Sequence, residues 1–325
     1  MKIDSKNLVD DIKKSRPNIK ENTIKQYEVN LRKLQKIYDT EGYDFLSKPD
    51  DVMDKLKDLH YLSQRNMLNA IIVLLMALNH DEKYDELLTT YGDLRDELND
   101  KYSDEQKSGV ISDKQSKNFT DIESIYKMIN DMAEHLKPLK KKSKDEITKK
   151  EMQLLQAYVL FNIYSRMPMR NDVAGMMVIN QAEYKKLSED EKKENNYLVV
   201  PSKGNIYFVL NKYKTSKKYQ ELDLPIEDKD LRRILRYYLK MSGIEKGGIL
   251  FKTSTGKPLT RTELSKVLLK YSQKYMGKSI STTLLRKIYL SSKYGDMKKE
   301  LEKDNKVMGH SKAVALDTYV KEAKE

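Results

Sequence analysis

The sequence predicts a mainly α-helical protein in two parts: an all-α N-terminal domain over residues 1–102 and a mixed α+β domain over residues 120–325 with a small antiparallel sheet. Apolar residues recur at helical spacing through the first part, whereas short apolar runs separated by turns occur only after about residue 195. The stretch 103–119 between the parts is polar, lacks periodicity and contains a glycine, as linkers commonly do.

Several helices are predicted in the first part. The clearest amphipathic pattern lies over 22–38, and shorter helices fit 5–15 and 49–58. The most apolar segment runs from Leu62 to Leu78, so we expect it to form the centre of a helical bundle. A helix rich in acidic residues follows over 81–102.

The second part is predicted to begin with helices over 121–136 and 146–165. Three short apolar runs, starting at Tyr197, Ile206 and Leu222, predict an antiparallel sheet of about three strands. The remaining helices are predicted over 228–241, 260–275, 281–293, 296–307 and 312–322, with Gly295 separating the third from the fourth.

Composition excludes several classes of protein. The chain has no cysteine, so it has no disulfide, thiol nucleophile or thiolate metal site. Its four histidines form no closely spaced ligand pair, and we expect neither a metal nor another cofactor. There is no run of about 18 apolar residues and no apolar signal core at the N-terminus, so we expect an intracellular protein without a membrane span.

The positive charge is unevenly distributed. Residues 1–118 carry 20 basic and 23 acidic side chains, whereas the remainder carries 42 basic and 27 acidic ones. A net charge of +15 on the second part favours a polyanionic partner, although a generic basic surface gives the same balance.

Five residues of the second part form an ordered set of short motifs. They are Arg170 in Met-Pro-Met-Arg-Asn-Asp, Lys214 in Asn-Lys-Tyr-Lys-Thr, Arg286 in Leu-Leu-Arg-Lys-Ile-Tyr, His310 after a glycine, and Tyr319 nine residues later. In this order and spacing the set resembles the catalytic domain of the tyrosine recombinases, the phage-integrase family. The first two motifs are most similar to those in integrases of eukaryotic DNA viruses and their satellites, and the likeness spans about residues 120–321.

The resemblance implies a role for each residue. Arg170 and Arg286 would clamp the scissile phosphate, Lys214 would protonate the leaving 5′ oxygen with Lys212 as the runner-up, and His310 would hydrogen-bond the phosphate. Tyr319 would be the nucleophile. Arginine suits the clamp because its charge is permanent and its donors form a fork. The family commonly has histidine where this chain has Thr283, which cannot serve as a base near neutral pH.

The resemblance also implies a core-binding N-terminal domain that closes with the catalytic domain into a C-shaped clamp around double-stranded DNA. Strand exchange would involve a homotetramer on two duplexes. A viral protein of this kind would act in the host cytoplasm or nucleus. Further candidate DNA contacts, each of which a solvated face also explains, are Lys25, Arg32, Gln64, Arg65, Asn69, Lys212 and Lys217. The alternatives are a type IB topoisomerase, a telomere resolvase with the same chemistry, or a DNA-binding protein with a decayed site.

Overall fold

The computed structural model describes residue 3 and residues 7–79 and 82–309. The chain divides into two compact units, and the boundary falls between Ile111 and Ser112. The described residues are mainly helical, as predicted, and include one small sheet of four strands.

The described residues of the first unit form helices and no strand. The five longer helices are α1 (Leu8–Ser15), α2 (Glu21–Tyr38), α3 (Pro49–Leu56), α4 (Tyr61–Leu78) and α5 (Asp85–Lys107). Helix α4 packs against α1, α2 and α5, and nine of its residues are buried. The prediction that this apolar segment forms the centre of the bundle is therefore confirmed.

Helix α4 is also the one helix of the described part that is long and apolar enough to cross a membrane by length and composition. About half of it is buried inside the protein. The core helix of a helical bundle can have the same length and composition as a membrane span. These properties do not decide between the two, and the expected absence of a membrane span stays a prediction.

Helix α5 extends five residues into the segment 103–119, and a single helical turn, α6, spans Asp113–Ser116. The last residues of α5 are mostly exposed and carry charged or amide side chains. Such residues have good helix propensity and can lengthen a helix that is already anchored by packing, even without an apolar face of their own.

The second unit surrounds one large core. Its helices are α7 (Ile122–Leu136), α8 (Lys149–Arg166), α9 (Gln181–Tyr184), α10 (Glu189–Lys193), α11 (Ser216–Tyr219), α12 (Lys229–Ser242), α13 (Arg261–Met276) and α14 (Thr282–Met308). Helix α8 lies at the centre, because ten of its residues between Leu155 and Ser165 are buried and α7, α12, α13 and α14 pack around it. Its start is fixed by a capping box between Thr148 and Glu151.

The sheet contains β1 (Met177–Asn180), β2 (Tyr197–Val200), β3 (Tyr207–Leu210) and β4 (Leu222–Pro225), in that spatial order. Strands β2, β3 and β4 pair antiparallel, as predicted. The prediction of a purely antiparallel sheet is wrong, because β1 pairs parallel to β2. Strand β1 has only four residues and no alternation, and its crossover to β2 consists of the short helices α9 and α10.

The predicted break at Gly295 is also absent. Helix α14 runs without interruption from Thr282 to Met308, with Ser281 as its N-cap and Gly309 in the left-handed conformation after its last turn. A glycine inside a helix costs about 1 kcal/mol relative to alanine, which is less than the cost of ending the helix and starting another. The first third of α14 holds its buried apolar residues, Leu284, Leu285 and Ile288.

Candidate active site

The loop after α8 is fixed on several sides and presents Arg170. The buried hydroxyl of Tyr164 on α8 donates to the carbonyl oxygen of Arg170 over 3.0 Å. The next residue, Asn171, donates from Nδ2 to the carbonyl oxygen of Arg261 (3.0 Å) and to Oγ of Ser265 (2.9 Å) on α13. Because the backbone is held in this way, the exposed side chain of Arg170 starts from a defined position.

A buried carboxylate lies beside this loop. Asp172 is 4% exposed, and its Oδ1 accepts a hydrogen bond of 2.8 Å from Nη2 of Arg261. Burial raises the pKa of Asp172, and the positive charges of Arg261, Arg170 and Arg286 act in the opposite direction. Arg261 contacts this carboxylate directly, and the charges of Arg170, two positions before it, and of Arg286 also act on it. Sequence reasoning identified Arg170 and Arg286 and missed Arg261.

Arg286 lies in the second turn of α14, and it is one of the arginines whose charges act on Asp172. It is half-buried, and its buried Nε atom has no hydrogen-bond partner among the residues that the structure describes. Burial raises the pKa of Tyr164 far above its usual value, and the charges of Asp172, Arg261 and Arg286 also reach that hydroxyl. Thr283 is exposed three residues before Arg286, which places both residues on the same side of the helix.

The lysine-rich segment lies between β3 and α11. Tyr213 is buried and donates through its hydroxyl to the carbonyl oxygen of Gln220 (2.8 Å), so Lys212 and Lys214 on either side of it are exposed. The ammonium group of Lys212 lies 3.7 Å from the carboxylate of Glu194, whereas Lys214 forms no ion pair within the described residues. This difference favours Lys214 over Lys212 as the free cation. Lys217 is exposed on α11.

A buried amide connects the two loops. Asn196, immediately before β2, is 7% exposed and uses all of its hydrogen-bonding capacity. Its Nδ2 donates to the carbonyl oxygens of Asp172 (2.8 Å) and Lys212 (3.2 Å), and its Oδ1 accepts from the backbone nitrogens of Asn211 (2.9 Å) and Lys212 (2.7 Å). Sequence reasoning missed this residue as well, since no local pattern distinguishes it.

His310 and Tyr319 lie outside the described residues. The last described residue before them is Gly309, which follows Arg286 by 23 residues, all but the last of them in α14. At 1.5 Å per helical residue the two positions are roughly 35 Å apart along the helix. The charges of Arg170 and Arg286 thus act on one carboxylate, whereas Gly309 lies far from Arg286 along the helix.

The candidate DNA contacts of the first unit are in different environments. Lys25 and Arg32 are exposed on α2, and Arg32 lies 3.7 Å from Glu28. Gln64 donates to the carbonyl oxygen of Leu59 over 2.8 Å, and Arg65 lies over the ring of Tyr102 at 4.6 Å. Both side chains thus have contacts inside the unit. Asn69 is half-buried on α4.

Two clefts of about 210 and 450 Å³ lie elsewhere on the second unit and share Gln153, Gln156 and residues 252–254. Neither cleft is lined by Arg170, Lys214 or Arg286. Within the described part of the chain, no group of three or more histidine or acidic side chains could hold a metal ion. The cluster around Asp172 is cationic, so its chemistry is the binding of an anion and the stabilisation of negative charge on it.

Comparisons of the chain with models of protein families, with curated proteins and with solved structures find no match.

Proposed function

We propose that this chain is a site-specific tyrosine recombinase that cleaves and rejoins DNA strands. The observation that carries the proposal is that Asn196 hydrogen-bonds both the loop of Arg170 and the loop of Lys214, a lysine that forms no ion pair within the described residues. The positive charge of Arg286, 116 positions after Arg170 in the sequence, acts on the same buried carboxylate of Asp172 as that of Arg170. Two arginines and a lysine supply what metal-independent cleavage of a phosphodiester needs: charge for the non-bridging oxygens and a proton for the leaving group.

The proposed reaction begins when Oη of Tyr319 attacks the phosphorus and forms an O–P bond, while its proton passes to water. The bond between phosphorus and the 5′ oxygen breaks, and the oxygen keeps the electron pair and receives a proton from the ammonium group of Lys214. The products are a 3′-phosphotyrosine and a 5′ hydroxyl. Attack by a 5′ hydroxyl of another strand reverses each step, so rejoining requires no nucleotide cofactor.

Arg170 and Arg286 stabilise the charge that builds on the two non-bridging oxygens during both steps. The Nε atom of Arg286 has no hydrogen-bond partner within the described residues, and it can donate to a phosphate oxygen once the half-buried side chain turns toward the substrate. Thr283 can donate a hydrogen bond to the phosphate, but it cannot remove the tyrosine proton. The absence of a histidine at this position is expected to slow the chemistry rather than prevent it.

The uninterrupted α14 bears on how this reaction proceeds. Tyr319 follows Gly309 by ten residues, which span at most about 36 Å when extended, so a bend in α14 would favour its approach to a phosphate held by Arg286 of the same chain. Gly295 is the expected place, because glycine is the weakest helix former after proline and the side chains from Leu290 to Glu300 are exposed, apart from the half-buried Gly295 itself.

Replacing Gly295 by alanine is expected to lower the rate of DNA cleavage about fivefold. The added methyl group meets no atom within 4 Å, so the change stabilises the straight helix by about 1 kcal/mol without a clash. The rate of adduct formation measures the effect, and Ser292→Ala, at an exposed position one turn earlier, is the matched control. Equal rates for wild type and Gly295→Ala would contradict a bend at this position.

The experiment that tests the proposed function is covalent trapping. The purified protein is incubated with nicked duplexes tiled from the DNA that flanks its gene and is then run on a denaturing gel, with binding followed in parallel. A nick lets the short cleaved strand diffuse away, so we expect a protein–DNA band that resists denaturation. Tight binding without a band on any fragment, for both the wild type and Thr283→His, would contradict the proposal and favour a DNA-binding protein with a decayed site.

The same assay separates recombination from the related chemistries. Transfer of the trapped strand to a second duplex of the same sequence is expected of a recombinase. Relaxation of supercoiled plasmids of unrelated sequence without strand transfer would identify a topoisomerase instead, and conversion of a duplex into hairpin ends would identify a telomere resolvase.

A further inference from the structure

The hydrogen bonds of Asn196 join two segments that the proposed reaction needs at a fixed separation. One segment is the Arg170–Asp172 loop, and the other is the Asn211–Lys214 loop. The side chain is buried at the end of the sheet where strand β2 begins and strand β3 ends. An amide that donates twice and accepts twice fixes both loops at once, because neither can move without breaking at least one of its four bonds.

Arg261 reinforces the same connection. Its Nη2 atom donates to Oδ1 of Asp172 at 2.8 Å and lies 3.5 Å from the carbonyl oxygen of Lys212, which also accepts from Asn196. The backbone of Lys212 is thus held through both its nitrogen and its oxygen. Because the neighbouring Tyr213 is also held in the interior by its hydrogen bond to Gln220, the backbone position from which the Lys214 side chain extends is restricted.

We propose that Asn196 is a positioning residue for proton transfer: it holds Lys214 at the distance from the Arg170 phosphate clamp at which the lysine can protonate the leaving 5′ oxygen. The inference rests on the proposed function and adds to it a residue that does not touch the substrate. Its consequence is specific, because loss of Asn196 impairs departure of the 5′ oxygen more than stabilisation of the charge on the non-bridging oxygens.

The substitution Asn196→Asp tests this with little change in volume. A carboxylate can still accept from the backbone nitrogens of Asn211 and Lys212, but it faces the carbonyl oxygens of Asp172 and Lys212 with no hydrogen to donate. The Lys214 loop is therefore expected to separate from the Arg170 loop. Since this change also weakens folding, the readout is a ratio of rates within one preparation, which the folded fraction does not affect.

The ratio compares two nicked DNA substrates that differ only at the scissile bond. One has the natural 5′ oxygen, and the other has sulfur in its place. A thiol ionises near pH 8.5, far below an alcohol, so a sulfur leaving group departs without a proton donor. For Lys214→Ala and for Asn196→Asp we expect the rate on sulfur relative to oxygen to rise by about 10²-fold over wild type, the lower end of the usual effect of a general acid.

The matched control is Asn180→Asp. Asn180 is the last residue of β1, at the opposite end of the strands from Asn196. Its Oδ1 caps α9 by accepting from the backbone nitrogen of Glu183 at 2.7 Å, a role that aspartate also fills. Its ratio is expected to equal that of wild type. Equal losses on both substrates for Asn196→Asp would overturn the inference, as would a raised ratio for Asn196→Asp with none for Lys214→Ala. No cleavage of either substrate by wild type would instead contradict the proposed function.

Discussion

Replacing Arg286 by alanine is expected to lower the rate of covalent adduct formation by about 10²–10³-fold. The guanidinium group stabilises negative charge that is larger on the non-bridging oxygens in the transition state than in the bound substrate, so its loss reduces the rate more than the affinity. Binding of duplex DNA, which depends on many phosphate contacts, should change little at moderate salt. Adduct formation under single-turnover conditions and a binding titration measure the two effects.

Two further substitutions sharpen this test. Arg286→Lys keeps the charge but loses the planar fork, and we expect it to recover only part of the rate. Arg233→Ala removes an exposed arginine of α12 that pairs with Asp230 at 3.0 Å, and we expect it to behave as wild type. A loss of binding equal to the loss of rate would contradict a transition-state role for Arg286, as would a wild-type rate for Arg286→Ala.

Replacing Arg261 by alanine is expected to lower the free energy of unfolding of the second unit by about 1–3 kcal/mol. The buried carboxylate of Asp172 loses its hydrogen-bond partner in this variant, and the nearby positive charges of Arg170 and Arg286 compensate only in part. The remaining carboxylate should also compete with phosphate for those two arginines, so cleavage should slow. Urea unfolding of the full chain, followed by circular dichroism, measures the stability change.

A double substitution identifies the cause. In the Arg261→Ala background, Asp172→Asn replaces a buried charge by a neutral amide, and we expect it to recover part of the lost stability. The control is again Arg233→Ala, whose exposed ion pair contributes at most about 0.5 kcal/mol. If Asp172→Asn lowered the stability of the Arg261→Ala variant further, charge burial at position 172 would not be the reason for the loss.

Most helices could be predicted from the sequence because the spacing of their apolar residues marks the face that packs against the core. Helix α4 combines an almost continuous apolar run with a central position, and α7 and α13 begin at side-chain caps that are visible in the sequence, Asp121 and Thr260. Strand β1 was not predictable in this way, since the four residues from Met177 to Asn180 show no period. The continuity of α14 through Gly295 depends on a small balance of free energies that the glycine alone does not decide.

The residues of the candidate site differ in the same way: local motifs indicate some of them, and others depend on contacts between distant parts of the chain. Arg170, Lys214 and Arg286 were proposed through resemblance to known motifs, and the charges of Arg170 and Arg286 act on one carboxylate. Arg261 and Asn196 were not found, because their roles arise from contacts with residues 89 and 15–24 positions away. Such contacts form when α13 packs against the loop after α8 and when β2 pairs with β3. Local sequence patterns predict neither contact.

The most direct test of the proposed chemistry is to identify the protein atom that becomes joined to DNA. The adduct from a nicked duplex is digested with trypsin and nuclease and analysed by mass spectrometry. We predict a nucleotide, linked through its 3′ phosphate, on the tryptic peptide from Ala313 to Lys321, attached at Tyr319. Tyr319→Phe should form no adduct, while Tyr294→Phe, at an exposed tyrosine of α14, should form it at the wild-type rate. A nucleotide on any other residue, or an adduct that persists in Tyr319→Phe, would contradict the account.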